Sequence, residues 1–586
     1  MKIKHYFGLA VIAAMTASCS SNEDLGTAGP GTGTNEAGVG YATFTINLPS
    51  TSGSTSGARG TRAAGDLEFN AGDAKEYNVN DVTLLIFQKE AGATSEDDYK
   101  FVEQANLGTM APWIKDGNHG VTTAATITAT LSSIDLTSDY YALAILNNKD
   151  ADGKNKVTLP TTGDTYGTWN VAGKAAGKFA DTSNGFYMAN APVFSTGEPT
   201  SLVKVEGVYT TKQKAESNKA TSIHVERGLA KVSIASNAFP STALKPTGTK
   251  YNEDEVKITA WNLDVTNKST FPIHKTAGLK NTNFTTIWSN TAAPSGASVT
   301  RFVDGDNPVF KRVYWGVDPN YSEDLTTVDA CKDAFNILDA DATIDGAADK
   351  PQYCLENTFD INHMKQGQTT RVVFKATYKP KGFTAGETFY KIGNSTDLWS
   401  EANLIAQITA KAADVLGVAS SVISVDLEAA ANDIKNNAGT KLLVKENVKN
   451  GGTAVNDAQI ADINAKLGLK AAGTDPSKDP IVGIATYKSG ESYYVARIKH
   501  FGVLTPWTEG QDTYGTNNDE NNTKYLGRYG VLRNNWYELT IGTVSGPGTP
   551  DVPTIKPDVP DDENYRYISV SVKILDWAKR SDTVDL

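Results

Sequence analysis

The sequence predicts a mainly β protein, built as two tandem β-sandwich domains with a helical insertion in the second. Three observations predict it. Short apolar or alternating runs recur about every ten residues between turn signals, the pattern of a sandwich or barrel. Gly, Thr, Asn, Asp and Ser are abundant, which suits many turns. The chain has 586 residues, too many for one compact core.

The elements follow in chain order. Lys2 and Lys4 precede an apolar run, Tyr6 to Ala17, that ends at Ala17-Ser18-Cys19. A basic start, a short apolar core and small residues mark a signal peptide over 1–18, too short for a stable membrane span. Residues 20–40 read as a polar linker. Tyr41–Leu48 then alternates, with Phe44, Ile46 and Leu48 on one face, and Pro49 closes it. Residues 50–65 are Ser, Gly, Thr and Ala with Arg59 and Arg62, so that loop should be exposed and protease-sensitive. A well-patterned strand tied to the body by a soft loop is unusual.

The first domain is expected over 63–235, with strands at Val82–Gln88, Thr123–Thr130, Tyr140–Leu146, Phe186–Met188, Val203–Val208, Thr221–Val225 and Ala230–Ile234. The second, 236–586, carries strands at Val256–Val265, Phe302–Trp315, Thr369–Tyr378, Ile484–Thr486, Ser492–Lys499 and Trp536–Ile541. Between them, about 398–467 shifts to Ala, Leu, Ile, Asp and Lys, and Leu404, Ile408, Ala412 and Val415 recur at helical spacing. Residues 545–564 are rich in Gly, Pro and Asp and read as an extended linker. In the terminal segment 565–577, Tyr567–Leu575 alternates again through Ile568, Val570, Val572 and Ile574.

The formal charge of −12 opposes nucleic-acid binding, and no basic patch interleaves with aromatics. Six histidines form no catalytic or metal motif, and His224 and His274 read as structural. Neither a nucleophile elbow nor a phosphate loop is present. Asp150-Ala151-Asp152-Gly153 lacks the later Glu of a calcium loop and reads as a solvated turn. We therefore expect no enzyme, catalytic residue, cofactor or metal. Cys331 and Cys354 could form one disulfide in an oxidising compartment or sit as two buried thiols. Glu226 and Arg227 read as a surface pair, Trp261, Trp315, Trp536 and Tyr537 as core or interface aromatics, and Asn357 and Asn534 as turn or backbone-bonding residues.

Cys19, directly after the small residues, resembles a bacterial lipoprotein site, and Ser20–Asp24 resembles the surface-export context of Bacteroidota lipoproteins. The leader lacks the usual Leu three residues before the Cys. Several boxes carry a wider resemblance: Val225-Glu226-Arg227 with Ala230-Lys231-Val232, Trp261–Lys268, Tyr314–Tyr321, Tyr353–Thr358, and Gly530–Tyr537 followed by Gly546-Pro547-Gly548. In their order and spacing the chain resembles the major-subunit family of the short fimbriae of Porphyromonas, in the fimbrillin superfamily of Bacteroidota (type V pilins).

That resemblance implies transthyretin-like sandwiches and a structural pilin that polymerises by protease-triggered donor-strand exchange into surface fimbriae for adhesion and biofilm formation. It implies a precursor lipidated at Cys19 on the outer membrane, with a propeptide over 19–62. An arginine-specific protease would cut after Arg59 or Arg62. The strand 41–48 would leave with Phe44, Ile46 and Leu48, and Ile568, Val570, Val572 and Ile574 of a neighbouring copy, with Trp577 at the edge of the donor, would fill the slot. Implied partners are further copies in a head-to-tail filament, anchor and tip accessory pilins, and host or bacterial surface receptors. Two alternatives remain: an accessory or tip adhesin, and a carbohydrate-binding surface lipoprotein, which the many Trp and Tyr side chains would permit.

Overall fold

The computed structural model describes residues 33–48, 76–107, 124–276, 311–557, 559–561 and 568–576, with internal breaks at 136, 175–177, 180–183, 195–198, 236–238, 240–242, 314, 321–322, 359–362, 477–478 and 501–528. It is mainly β. For the last strand, 568–576, only the backbone is described.

The N-terminal body is built on one long sheet. Its strands are β1 (Gly40–Asn47), β2 (Val82–Lys89), β3 (Lys100–Gln104), β4 (Ala124–Leu131), β5 (Asp139–Leu146), β6 (Met188–Asn190) and β7 (Thr221–Arg227), in the order β3-β2-β5-β6-β7-β1-β4. The expected run Val203–Val208 shortens to Val203–Lys204, beside β5. A backbone pair between Asn106 and Thr130 links the two ends of the sheet, so it wraps round its own core. Inside, Phe44 and Ile46 pack with Leu84, Ile86, Ile127, Ala144 and Ile223. β2 and β5 are nearly all apolar because they are buried on both faces: Leu85, Phe87, Leu143 and Ile145 join a second cluster with Tyr166, Trp169 and Phe186.

The C-terminal body is a two-sheet sandwich. One sheet has β8 (Leu229–Ile234), β10 (Gln352–Leu355), β15 (Asn535–Val544) and β16 (Ile568–Asp576) in the order β10-β8-β15-β16. The other has β9 (Glu255–Asp264), β11 (Arg371–Lys379) and β14 (Glu491–Arg497) in the order β9-β11-β14. Val232, Trp261, Val372, Phe374, Ala376, Tyr494, Tyr537 and Leu539 fill the space between them. The alternation of Val372, Phe374 and Ala376 therefore reflects one face turned to this core.

The change of sheet falls at Gly228, earlier than the expected boundary at 235, and Leu229–Ile234 already belongs to the C-terminal body. A Cβ on Gly228 would lie 2.7 Å from Phe179 Cδ2 and 3.0 Å from Tyr187 Cδ1, so the crossing has room only for glycine.

Between β11 and β14 lies a mixed segment. It contains β12 (Phe389–Ile392), β13 (Ile484–Tyr487), several two- or three-residue strands, α1 (Glu401–Leu416) and α2 (Asp457–Lys466). Ser400 caps α1, its side chain accepting from Asn403 N, and Gly417 ends it at φ 64°. Leu404, Ile408 and Ala412 face a separate core with Ile460, Ile463 and Ile484, and Val415 packs at its margin. The segment is thus not purely helical. No helix among the described residues is long and apolar enough to cross a membrane.

Candidate functional site

β1 is an internal strand. It pairs antiparallel with β4 along its whole length, Gly40 opposite Leu131 and Asn47 opposite Ala124. On its other side Phe44–Asn47 runs parallel to Thr221–His224 of β7. Phe44 and Ile46 are fully buried, and Leu48 nearly so. On the outer face Thr43 and Thr45 meet Thr128 and Thr126, hydroxyl to hydroxyl, at 3.1 and 3.0 Å. At the strand's start Tyr41 and Tyr209 exchange two backbone hydrogen bonds of 2.8 Å. A Cβ on Gly40 would lie 2.4 Å from Val208 Cγ1, which accounts for glycine there.

The energetics follow. Phe44, Ile46 and Leu48 contribute about 1.5–3 kcal/mol each through burial, and each ladder bond adds about 1 kcal/mol net. Removing β1 would open a slot with unpaired backbone on both β4 and β7 above an apolar floor. Cys19, Arg59 and Arg62 lie outside the described residues.

The chain is described again from Glu76, and there it is anchored. The fully buried Glu76 carboxylate pairs with Lys231 Nζ at 2.8 Å and accepts a hydrogen bond from the Tyr353 hydroxyl. Its carbonyl accepts from Arg227 Nε at 2.8 Å. Lys231 Nζ also stands 3.6 Å from the centre of the Trp536 ring. Arg227 in turn donates from its backbone N and from Nη1 to Asn534 Oδ1, both at 3.2 Å. Asn534, at φ 59°, donates its own N–H to Leu229 O at 2.7 Å. Glu226 receives His274 Nδ1 at 2.9 Å, while Arg533 Nε donates to Glu356 at 3.2 Å.

Glu226 and Arg227 are therefore not a surface pair: both are buried at the joint between the bodies. The sheets exchange at the next residue, which turns both faces of the chain inward, and local sequence carries no sign of that exchange. Glu76 carries no signal in the sequence, because a single acid outside any periodic run forms no pattern.

The boxes of the resemblance meet in space. Asp318 accepts from Asn267 Nδ2 at 2.8 Å, Asn320 N at 2.9 Å and Thr358 N at 3.1 Å, so three boxes share one carboxylate. Burial pushes its pKa up to about 7. Asn357 brackets the backbone, donating to Gln368 O at 3.1 Å and accepting from Thr370 N at 2.9 Å. Asp150 folds as a polar turn, its Oδ1 accepting from Asp152 N and Lys154 N at 3.0 and 2.8 Å.

At the far end, one strand pairs within the C-terminal body and the segment before it is docked. β16 runs antiparallel to β15, with Val544 opposite Ile568 and Asn535 opposite Asp576. It is an edge strand of the C-terminal body, in a different sheet from β1, so one chain does not bring the two together. Only the positions of Ile568, Val570, Val572 and Ile574 along that ladder are described, and Trp577 lies outside the described residues. The segment leading to β16 is also not a loose linker. Val552 and Ile555 are buried, and Gly367 N and Asp561 N donate to Lys556 O and Met364 O. Proline and glycine let this strap follow the surface without regular structure, and its side chains still dock.

Cys331 and Cys354 form no disulfide. Cys331 packs with Leu325 and Phe335, its Sγ 3.3 Å from Leu325 O, whereas Cys354 is on β10 in the sandwich core. Two thiols in separate clusters satisfy the buried alternative. Among the described residues no cluster of His, Cys, Asp and Glu could hold a metal ion.

Fold and site thus define a mainly β chain with a buried strand, followed in sequence by Arg59 and Arg62, near one end and an edge strand near the other. Residues 485–583, which include β14, β15 and β16, match the family model described as "Major fimbrial subunit protein type IV, Fimbrillin, C-terminal", a family of structural subunits. No curated protein matches the chain. Among solved structures, a fimbrial assembly protein from Parabacteroides distasonis is 11% identical, over 61% of this chain and 94% of that one. Its TM-score of 0.23 is too low to carry an argument.

Proposed function

We propose that the chain is a subunit of a cell-surface fimbria whose copies join by handing a strand from one to the next. The observation that carries this is β1, a strand fully inserted between β4 and β7 yet followed by a segment holding Arg59 and Arg62. The fimbrillin match over 485–583 supports the class.

In this reading the precursor is a lipoprotein held through Cys19, and an arginine-specific protease cuts after Arg59 or Arg62. The piece bearing β1 departs and the rest stays, anchored from Glu76 onward. An incoming strand must run parallel to Thr221–His224 and antiparallel to β4, with apolar residues at alternate positions to replace Phe44, Ile46 and Leu48. Ile568, Val570, Val572 and Ile574 have that period. β16 leaves β15 before it is donated, while the docked strap holds the chain as far as Asp561. A contact between unlike surfaces that does not close produces a filament. Tip and anchor subunits, and the surface receptors, would be further partners.

Replacing Arg59 and Arg62 together with Ala should abolish polymer ladders on gels and leave full-length precursor. Persisting ladders would reject the proteolytic trigger. Deleting 565–586 should stop elongation while still allowing one copy to accept a strand.

A further inference from the structure

A cleft of about 370 Å³ opens where the mixed segment meets the C-terminal sandwich. That volume lies in the small-ligand range of roughly 300–1,000 Å³. Three aromatic side chains line it. Tyr251 comes from the turn before β9, Phe383 from the loop after β11, and Trp399 from the residues leading into α1. Tyr251 is held by its hydroxyl, which donates to Thr396 O at 2.7 Å, while Phe383 and Trp399 are partly exposed.

Lys250, Lys381, Asp254 and Asp397 also line the cleft, and the Lys381 ammonium pairs with Glu253 beside it. Lys250 Nζ meets Asp397 Oδ1 at 2.8 Å. Asp254 accepts from the Tyr378 hydroxyl at 2.6 Å and from Lys381 N at 2.8 Å. An ammonium has three donors and a carboxylate about four acceptor sites, so these groups retain unused capacity. Asn403, exposed on the first turn of α1, adds an amide that both donates and accepts.

We propose that this cleft binds a neutral saccharide, one or two rings of a glycan chain. The apolar C–H faces of a sugar ring suit aromatic walls, and its hydroxyls donate to carboxylates and accept from ammonium and amide groups. An apolar ligand would cover these charged groups while offering their remaining donors and acceptors no partner. Both ammonium groups are already held by carboxylates, with which an anionic ligand would have to compete. The site needs both the sandwich and the mixed segment, which gives that segment a role in recognition. None of its lining residues lies on β1, β4, β7, β15 or β16, so the proposal stands apart from strand exchange.

The test uses the full chain and a panel of neutral di- and trisaccharides, with uronic-acid disaccharides as charged comparators. Binding is read by calorimetry and by saturation-transfer NMR. At least one neutral sugar should bind in the millimolar range or tighter. Trp399→Ala should weaken it by about tenfold, and Asn403→Ala, on an exposed helix face, by a few-fold without touching the fold. Circular dichroism checks that both variants remain folded. No binding by any neutral sugar, equal binding of the charged comparators, or affinity unchanged in Asn403→Ala and in folded Trp399→Ala would each overturn the proposal.

Discussion

Glu76 and Lys231 form an ion pair of 2.8 Å with both side chains almost wholly buried, joining the chain at Glu76, C-terminal to Arg59 and Arg62, to β8 of the C-terminal body. Such a pair is costly to break from one side, because the remaining charge stays buried alone. Lys231→Met should therefore destabilise the protein by about 3–5 kcal/mol in urea unfolding. Adding Glu76→Gln should recover much of that loss. A double variant as unstable as the single one would show that the pair is not the principal tie.

A second test locks β1 in place. Thr45 and Thr126 are direct partners across the β1–β4 ladder, with hydroxyls 3.0 Å apart on the outer face. Directly opposed residues of antiparallel strands fall within disulfide reach. The double variant Thr45→Cys, Thr126→Cys should be cut normally and yet fail to polymerise when oxidised. Ladders should return on adding dithiothreitol. Equal polymerisation of the oxidised and reduced forms would show that β1 does not need to leave.

His224 predicts an acid-sensitive sheet. It lies beside Asn47 of β1, and burial lowers its pKa from 6.5 to about 4. The folded state thus keeps it neutral while the unfolded state takes up a proton. Its contribution is complete above pH 6.5 and is lost as the pH falls towards about 4. Glu96 and Asp318, both pushed up to about 7 by burial, work in the opposite sense, losing stability as the pH rises through that value. The informative measurement is therefore a difference. Relative to the native chain, His224→Gln should gain stability on acidification from pH 6.5 to 4.5.

Cys331 and Cys354 should resist alkylation in the folded state. Both are buried, and burial pushes the Cys354 thiol up to about 12, leaving almost no thiolate at neutral pH. Iodoacetamide should add no mass to either residue until denaturant is present. Reductant should leave Tm unchanged, since no bridge joins them.

Sequence by itself determined the local order. The alternation of Phe44, Ile46 and Leu48 fixed a strand with one buried face, and the spacing of Leu404, Ile408 and Ala412 fixed a helix with one. Both are readable because side-chain period follows directly from backbone geometry. The rest depended on which elements meet. Only the tertiary structure placed β1 between β7 and β4, moved the sheet change to Gly228, buried Glu226 and Arg227, and kept Cys331 from Cys354. It also docked Val552 and Ile555 in a stretch whose composition resembles a free linker. Glycine and proline specify what a backbone can adopt, whereas burial and pairing arise from contacts between residues far apart in the chain, such as Glu76 with Lys231 and Arg227 with Asn534.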